Sequence, residues 1–361
     1  MAMRILLLSA GNSVHTLRWA AAFAQRGCTV HLATQHAPVV PPAAGVVVHL
    51  LPHRGASGYL LNGPALRRIA ATIAPDVVNA HYASGYGTLA RFCGELPLVL
   101  NVWGSDIFDF PGKSPLHELL MRSNLRRADH VVSTSEVMAA RTRLLCPGLP
   151  QLHVVPFGVD TAVFHPADVE VQSDEVVIGT VKTLAPKYGV DTLIDAYAML
   201  RNDLGDTCAT RLRIVGDGPR RQALVQQVAA LGIAAHVQFV GAVPHDRVPD
   251  ELRCLDVFCA LSRDDSESFG VAVVEASACG LPVVVSNAGG LPEVVSNATT
   301  GWVVPRDNAK AASEKLRELV LDASQRQRMG AVGRARMMEH YEWSRCVEKQ
   351  IDVLNLAAQR R

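Results

Sequence analysis

Two carboxylates with seven residues between them bound the most chemically suggestive stretch of the chain, Glu267-Ser-Phe-Gly-Val-Ala-Val-Val-Glu275. Glu267 falls in a loop just after an apolar strand. Phe269, Gly270 and Val271 open a short helix, and Glu275 is expected about two turns along it. The first amides of a helix have no acceptor inside it, so they point outward and can hold an anion. Gly280 ends the helix and Pro282 keeps it from resuming. Amides for a phosphate and carboxylates for hydroxyl groups are the chemistry a nucleotide-sugar site requires.

Other chemically able residues stand where strands should end. Gly11, in Ser9-Ala-Gly11-Asn-Ser13, precedes a helix, where glycine permits close approach to a phosphate or simply a tight turn. His81 ends the strand Val77–His81 and reads either as a ligand contact or as a hydrogen-bonded structural histidine. Asp106, in Asn101-Val-Trp-Gly-Ser-Asp106, could accept from a sugar, orient a loop or cap a helix. Lys182 and Lys187 follow an apolar strand and could neutralise a diphosphate, against the plain alternative of two solvated lysines. Gly216, in Val215-Gly-Asp-Gly-Pro219, and Val243, in Phe239-Val-Gly-Ala-Val-Pro244, belong to turns on the same expected rim, as does Gly289-Gly-Leu-Pro-Glu293. Asp264-Asp265 lacks further ligands at metal spacing and reads as a solvated acidic loop.

The elements that must position these residues alternate throughout. Strands are expected at 4–8, 29–34, 46–50, 77–81, 98–102, 131–134 and 153–155 in the first half, and at 176–181, 212–215, 237–240, 257–260, 283–286 and 302–304 in the second. Segments of helix length, among them 13–26, 115–127, 190–201 and 219–231, lie between most of them. Continuously apolar strands alternating with helices predict parallel sheets covered on both faces. One sheet of thirteen strands would be improbably wide, so the chain should divide near Pro156–Pro166, followed by the polar stretch 167–175. The domain reading is 1–160, 161–340 and a final segment 341–361 whose helix, 344–358, is free to pack on either domain and is taken to return onto the first.

At 361 residues the chain is long enough for two to three domains and for large cores without disulfides. A formal net charge of +1 gives nucleic-acid binding no support. The charge is uneven: 13 Lys/Arg face 8 Asp/Glu through Asp160, and 22 face 26 beyond it. This is ordinary surface variation or a first half that meets an anionic partner, such as a lipid phosphate. The eight cysteines show no C-x-x-C pair and no zinc spacing, which suits a reducing cytoplasm. The apolar run 3–8 is too short for a signal peptide. No segment approaches the ~20 apolar residues of a membrane helix, so any membrane association is expected to be peripheral.

Taken together, these residues resemble the retaining glycosyltransferases of family 4, whose architecture is GT-B. The resemblance rests on Lys182…Lys187-x-Gly189-Val190, on Val215-Gly-Asp-Gly-Pro219, and on Glu267-Ser-Phe-Gly270…Glu275 through Gly280-Leu-Pro-Val283 to Gly289-Gly-Leu-Pro-Glu293 and Gly301-Trp-Val-Val-Pro305. Gly11, His15 in Val14-His15-Thr-Leu-Arg18-Trp19, His81 and Trp103-Gly-Ser-Asp106 fit less strictly. Lys182 stands where the family often has arginine, and the first loop has one glycine where many members have two.

The resemblance implies an α/β fold of two doubly wound, Rossmann-like domains facing across a cleft, the first for the acceptor and the second for the donor. It implies that Lys182 and Lys187 hold the donor diphosphate, Glu275 the ribose hydroxyls, and Glu267 with the amides of Phe269, Gly270 and Val271 the donor sugar and phosphate. Gly216 and Val243 would line the nucleotide, Gly11 would approach the diphosphate, and His81 would sit near the reacting sugar. His15 and Asp106 are acceptor-side candidates. The implied activity is retaining transfer of a sugar from a UDP- or GDP-sugar to an acceptor hydroxyl in cell-surface glycan or glycoconjugate synthesis. No cofactor and no essential metal are expected. The partners are the donor and a sugar, lipid-linked or small-molecule acceptor, without nucleic acid. A nucleotide-sugar epimerase of the same architecture and a non-catalytic nucleotide- or carbohydrate-binding protein are the alternatives.

Overall fold

A computed structural model describes residues 2–149, 151–167, 174–205 and 207–359. Positions 168–173 of the polar stretch read as a linker lie outside them.

The strands are β1 (Arg4–Leu8), β2 (Thr29–Thr34), β3 (Val46–Leu50), β4 (Val77–His81), β5 (Leu98–Asn101), β6 (His130–Ser133), β7 (Gln151–Val154), β8 (Glu175–Val181), β9 (Ala209–Val215), β10 (Val237–Gly241), β11 (Val257–Ala260), β12 (Val283–Ser286) and β13 (Gly301–Val304). They form two sheets, ordered β3-β2-β1-β4-β5-β6-β7 and β10-β9-β8-β11-β12-β13. Every pairing within them is parallel. The apolar composition explains this: β4, β5, β6, β11 and β12 are buried along their whole length, so helices must cover both faces.

The chain divides into two compact units, one of residues 1–156 together with 345–361, the other of 157–344. Residues 157–160 fall with the second unit for a local reason. The Phe157 ring packs 6.2 Å from that of Phe269, while the Val159 N–H donates to the Tyr341 carbonyl and the Val159 carbonyl accepts from Trp343. The core of the first unit gathers Leu6, Leu8, Val78, Leu100 and Val131; that of the second gathers Ile178, Leu193, Tyr197, Ile214 and Val257.

Each sheet reverses its strand order once, between β1 and β4 in the first unit and between β8 and β11 in the second. In open parallel sheets ligands bind outside the carboxyl ends of the strands at such a reversal, because the loops there diverge and leave a crevice. Gly11 and His81 follow or end the strands of the first reversal, and Lys182 and Glu267 follow those of the second.

Candidate active site

In the second unit, Lys182 follows β8 and Glu267 lies in the loop after β11, on either side of the strand-order reversal. Lys182 Nζ stands 2.7 Å from Glu267 Oε2, with the two side chains 15% and 10% exposed. The Tyr188 ring gathers both lysines, at 4.6 Å from Lys182 Nζ and 5.0 Å from Lys187 Nζ. An aromatic face attracts cations, so this ring is a shared partner of both lysines.

The loops carrying these side chains are pressed together by glycines. Gly216 has φ 132°, and a Cβ there would lie 1.9 Å from the Lys182 carbonyl oxygen. Gly189 has φ 61°, and a Cβ there would lie 1.9 Å from the Leu261 carbonyl oxygen. Beneath Glu267, the Gly290 N–H donates to the Glu267 carbonyl at 3.0 Å and the Gly289 N–H to Asp265 Oδ1 at 3.1 Å. The glycine turn after β12 therefore braces the Glu267 loop from below.

Glu275 is the fifth residue of the helix Val271–Ala278, one turn in and not two, because Gly270 takes a left-handed conformation (φ 89°) and delays the helix start to Val271. Phe269 stays outside the helix, buried, its ring 5.7 Å from that of Tyr341. The Glu275 side chain is buried, and His245 Nε2 lies 3.1 Å from its Oε1. Val243, half-buried, sits just beyond β10 and two residues before His245.

Arg263 ties the Lys187 loop down. Its guanidinium donates to both oxygens of Asp191 (2.8 and 3.0 Å), to Thr192 Oγ1 and to the Pro186 carbonyl, and it pairs with Asp307. Burial pushes the Asp191 carboxyl up, but the Arg263 guanidinium outweighs it and holds the group below its ordinary value. Asp265 is not a merely solvated acid, since it pairs with Arg306. Among the described residues no group of three or more His, Cys, Asp or Glu side chains converges as a metal site would require.

In the first unit, His81 closes β4 and is 1% exposed. Its Nε2 donates to Asn79 Oδ1 at 3.1 Å, Asn79 Nδ2 donates to Asn101 Oδ1 at 2.7 Å, and Asn101 Nδ2 donates to Gln350 Oε1 at 3.1 Å. This buried chain fixes the proton on Nε2 and leaves Nδ1 buried without a partner. Burial first, and then the neighbouring His15, pushes the His81 pKa down to about 3, so the ring is neutral. The Trp103 ring lies 4.7 Å from that of His81 and 6.1 Å from that of His15.

Asp106 is buried and serves the loop-orienting alternative. Its carboxylate accepts from the amides of Ala83 (2.9 Å), Trp103 (3.0 Å) and Gly104 (2.9 Å). Burial pushes its carboxyl up, against those backbone hydrogen bonds. Gly11 has a reason within the fold as well: its N–H donates to Thr34 Oγ1 at 2.9 Å, and a Cβ would lie 2.5 Å from the His36 carbonyl oxygen.

Sequence reading missed Tyr188, His245 and Arg263. Tyr188 had a signal, lying between Lys187 and Gly189. The partners of His245 and Arg263 are 30 and 72 residues away, and no local pattern reveals them.

Residues 164–336 match the family described as glycosyl transferases group 1, and residues 4–135 match glycosyl transferase 4-like proteins. The GDP-mannose-dependent alpha-(1-6)-phosphatidylinositol monomannoside mannosyltransferase of Mycolicibacterium smegmatis is 32% identical over 275 residues, which span 71% of this chain and 69% of that one. The D-inositol 3-phosphate glycosyltransferase of Nocardia farcinica is 28% identical over 361 residues, spanning 89% and 79%. Among solved structures, sucrose-phosphate synthase from Thermosynechococcus elongatus superposes with a TM-score of 0.85 at 19% identity, covering 98% of both chains. Anabaena HepE, solved with UDP, superposes with a TM-score of 0.83 at 18% identity, covering 98% of this chain and all of that one.

Proposed function

This chain belongs to the group 1 glycosyl transferases and is a glycosyltransferase of GT-B architecture, and we propose that it moves a sugar from a nucleotide-diphosphate donor to an acceptor hydroxyl with retention of anomeric configuration. The carrying observation is the Lys182–Glu267 pair beside Lys187, at the reversal of the second sheet. The difficult event in such a transfer is departure of the nucleoside diphosphate, which develops negative charge. Lys182, Lys187 and the first amides of the helix Val271–Ala278 meet that charge in place, without reorganising water. Glu267 orients Lys182 and contacts the donor sugar, and Glu275 accepts from the ribose hydroxyls. With His81 neutral, the departing phosphate takes the proton of the acceptor hydroxyl, which attacks from the face the leaving group vacated. The first unit holds the acceptor, and no metal is essential.

The named donor of the Mycolicibacterium smegmatis relative makes GDP-mannose the first donor to test. Calorimetric titration with UDP, GDP, ADP and dTDP, without and with magnesium, on wild type and Glu275→Ala decides the matter. Metal-independent binding of one nucleotide, lost in the variant, is expected. Wild-type protein that binds none of them would sink the reading. Proton NMR of the product gives the anomeric outcome.

A further inference from the structure

We propose that Tyr82 and Trp103 form an aromatic shelf on the first unit that receives a polyhydroxylated six-membered ring, the ring of the acceptor; this rests on the transferase reading above. Tyr82 is the first residue after β4 and has φ 70°, a left-handed conformation that residues with a Cβ seldom adopt. The surroundings impose it: the Tyr82 N–H donates to the Asn101 carbonyl and the Tyr82 carbonyl accepts from Gly87, both at 3.0 Å. Such backbone strain collects where a side chain must point in one direction for a ligand. This ring is 36% exposed although it is large and largely apolar.

Trp103, half-buried, meets Tyr82 edge to face at 5.6 Å and 66°, and the buried His81 ring backs it at 4.7 Å. Asp106 accepts from Ala83, next to Tyr82, and from Trp103 itself, so one buried carboxylate pins both loops. The two rings stand at the carboxyl ends of β4 and β5, with His15, in the first turn of the helix that follows β1, 6.1 Å from Trp103, around the reversal of the first sheet.

Two rings at a steep angle make a corner. A planar base would stack on one of them only, whereas a puckered ring presents C–H bonds on two sides. The negative faces of aromatic rings attract those polarised hydrogens. A sugar and a cyclitol share this chemistry.

The test is saturation-transfer NMR, irradiating aromatic protons in the presence of methyl α-mannopyranoside, myo-inositol or acyclic mannitol. The samples are wild type, Tyr82→Phe and Tyr82→Gly. Glycine accepts φ 70° without strain, so Tyr82→Gly removes the ring and keeps the fold, which its melting temperature verifies. Transfer to the C–H protons of either ring compound is expected in wild type and Tyr82→Phe, at least about fivefold weaker in Tyr82→Gly, as loss of one stacking partner implies. The ring that responds tells a sugar acceptor from a cyclitol. Absence of transfer to both rings in wild type, equal transfer in Tyr82→Gly, or equal transfer to mannitol would overturn the shelf. Nucleotide titration of the same samples reports on the donor site alone, so a failed shelf and a failed donor site are told apart.

Discussion

Lys182 and Glu267 sit 2.7 Å apart with little contact with water, and at such a site the loss of one partner costs more than the pair is worth. Lys182→Ala should therefore lower stability by about 3 kcal/mol, since Glu267 is left charged and unpaired. Lys182→Ala/Glu267→Ala should recover much of that loss. Chemical denaturation of the wild type and the two variants measures both. Both variants should lose on the order of 100-fold or more in kcat, because the leaving-group charge goes unmet. His81 makes a separate prediction. Its folded pKa of about 3 lies below the ordinary 6.5, so between these values the unfolded chain binds a proton that the native one does not. Stability should then rise with pH across that window, by about 1.4 kcal/mol per unit from this group, and be flat above it. His81→Gln should remove that part of the slope in melts taken from pH 4 to 7. Activity between pH 5 and 8 should show no limb assignable to His81.

At the scale of elements, the turns after β8, β9 and β11 hold the site by backbone contact more than by side chains. At Gly216 a Cβ would meet the Lys182 carbonyl at 1.9 Å, whereas Gly232, also at positive φ (70°), has nothing within 4 Å. Gly232→Ala should cost only the left-handed penalty, about 1 kcal/mol. Gly216→Ala should cost that and more, displace Lys182, and weaken both donor binding and turnover. Denaturation and nucleotide titration of the two variants provide the comparison. The motif Val215-Gly-Asp-Gly-Pro219 was legible in the sequence, but its glycines read as freedom to approach a ligand. The fold shows them first as room for the chain to approach itself. The helix Val271–Ala278 was legible too, apart from its start, because one left-handed glycine shifts the first turn by two residues.

At the scale of the molecule, the last helix, Trp343–Ala358, supplies a buried polar end to the first unit. Gln350 is 0% exposed and closes the chain Asn101–Asn79–His81 that fixes the histidine tautomer. Gln350→Ala should leave Asn101 short of a partner, at about 1–3 kcal/mol of stability. The Val99 carbonyl still accepts from Asn79 Nδ2 and keeps Asn79 Oδ1 turned to His81, so ¹⁵N chemical shifts of the labelled ring should remain those of the Nε2-protonated form. No helix among the described residues is long and apolar enough to cross a membrane.

The sequence alone determined the two doubly wound sheets, since period, apolarity and strand spacing are local properties that fix which segments must be buried on both faces. It also determined Lys182, Lys187, Glu267 and Glu275 as the groups to examine, because the first three stand in loops after strands and Glu275 lies on the short helix that follows, in a recognisable pattern. Only tertiary structure decided that Lys182 faces Glu267, that His245 holds Glu275, that Arg263 anchors the Lys187 loop through Asp191, and that Gln350 meets Asn101, 249 positions earlier in the chain, and through it Asn79 and His81. The physical reason is that charge pairing and buried hydrogen bonds are set by distances in space, and a pattern of neighbours along the chain carries no record of a partner brought in by the packing of other elements.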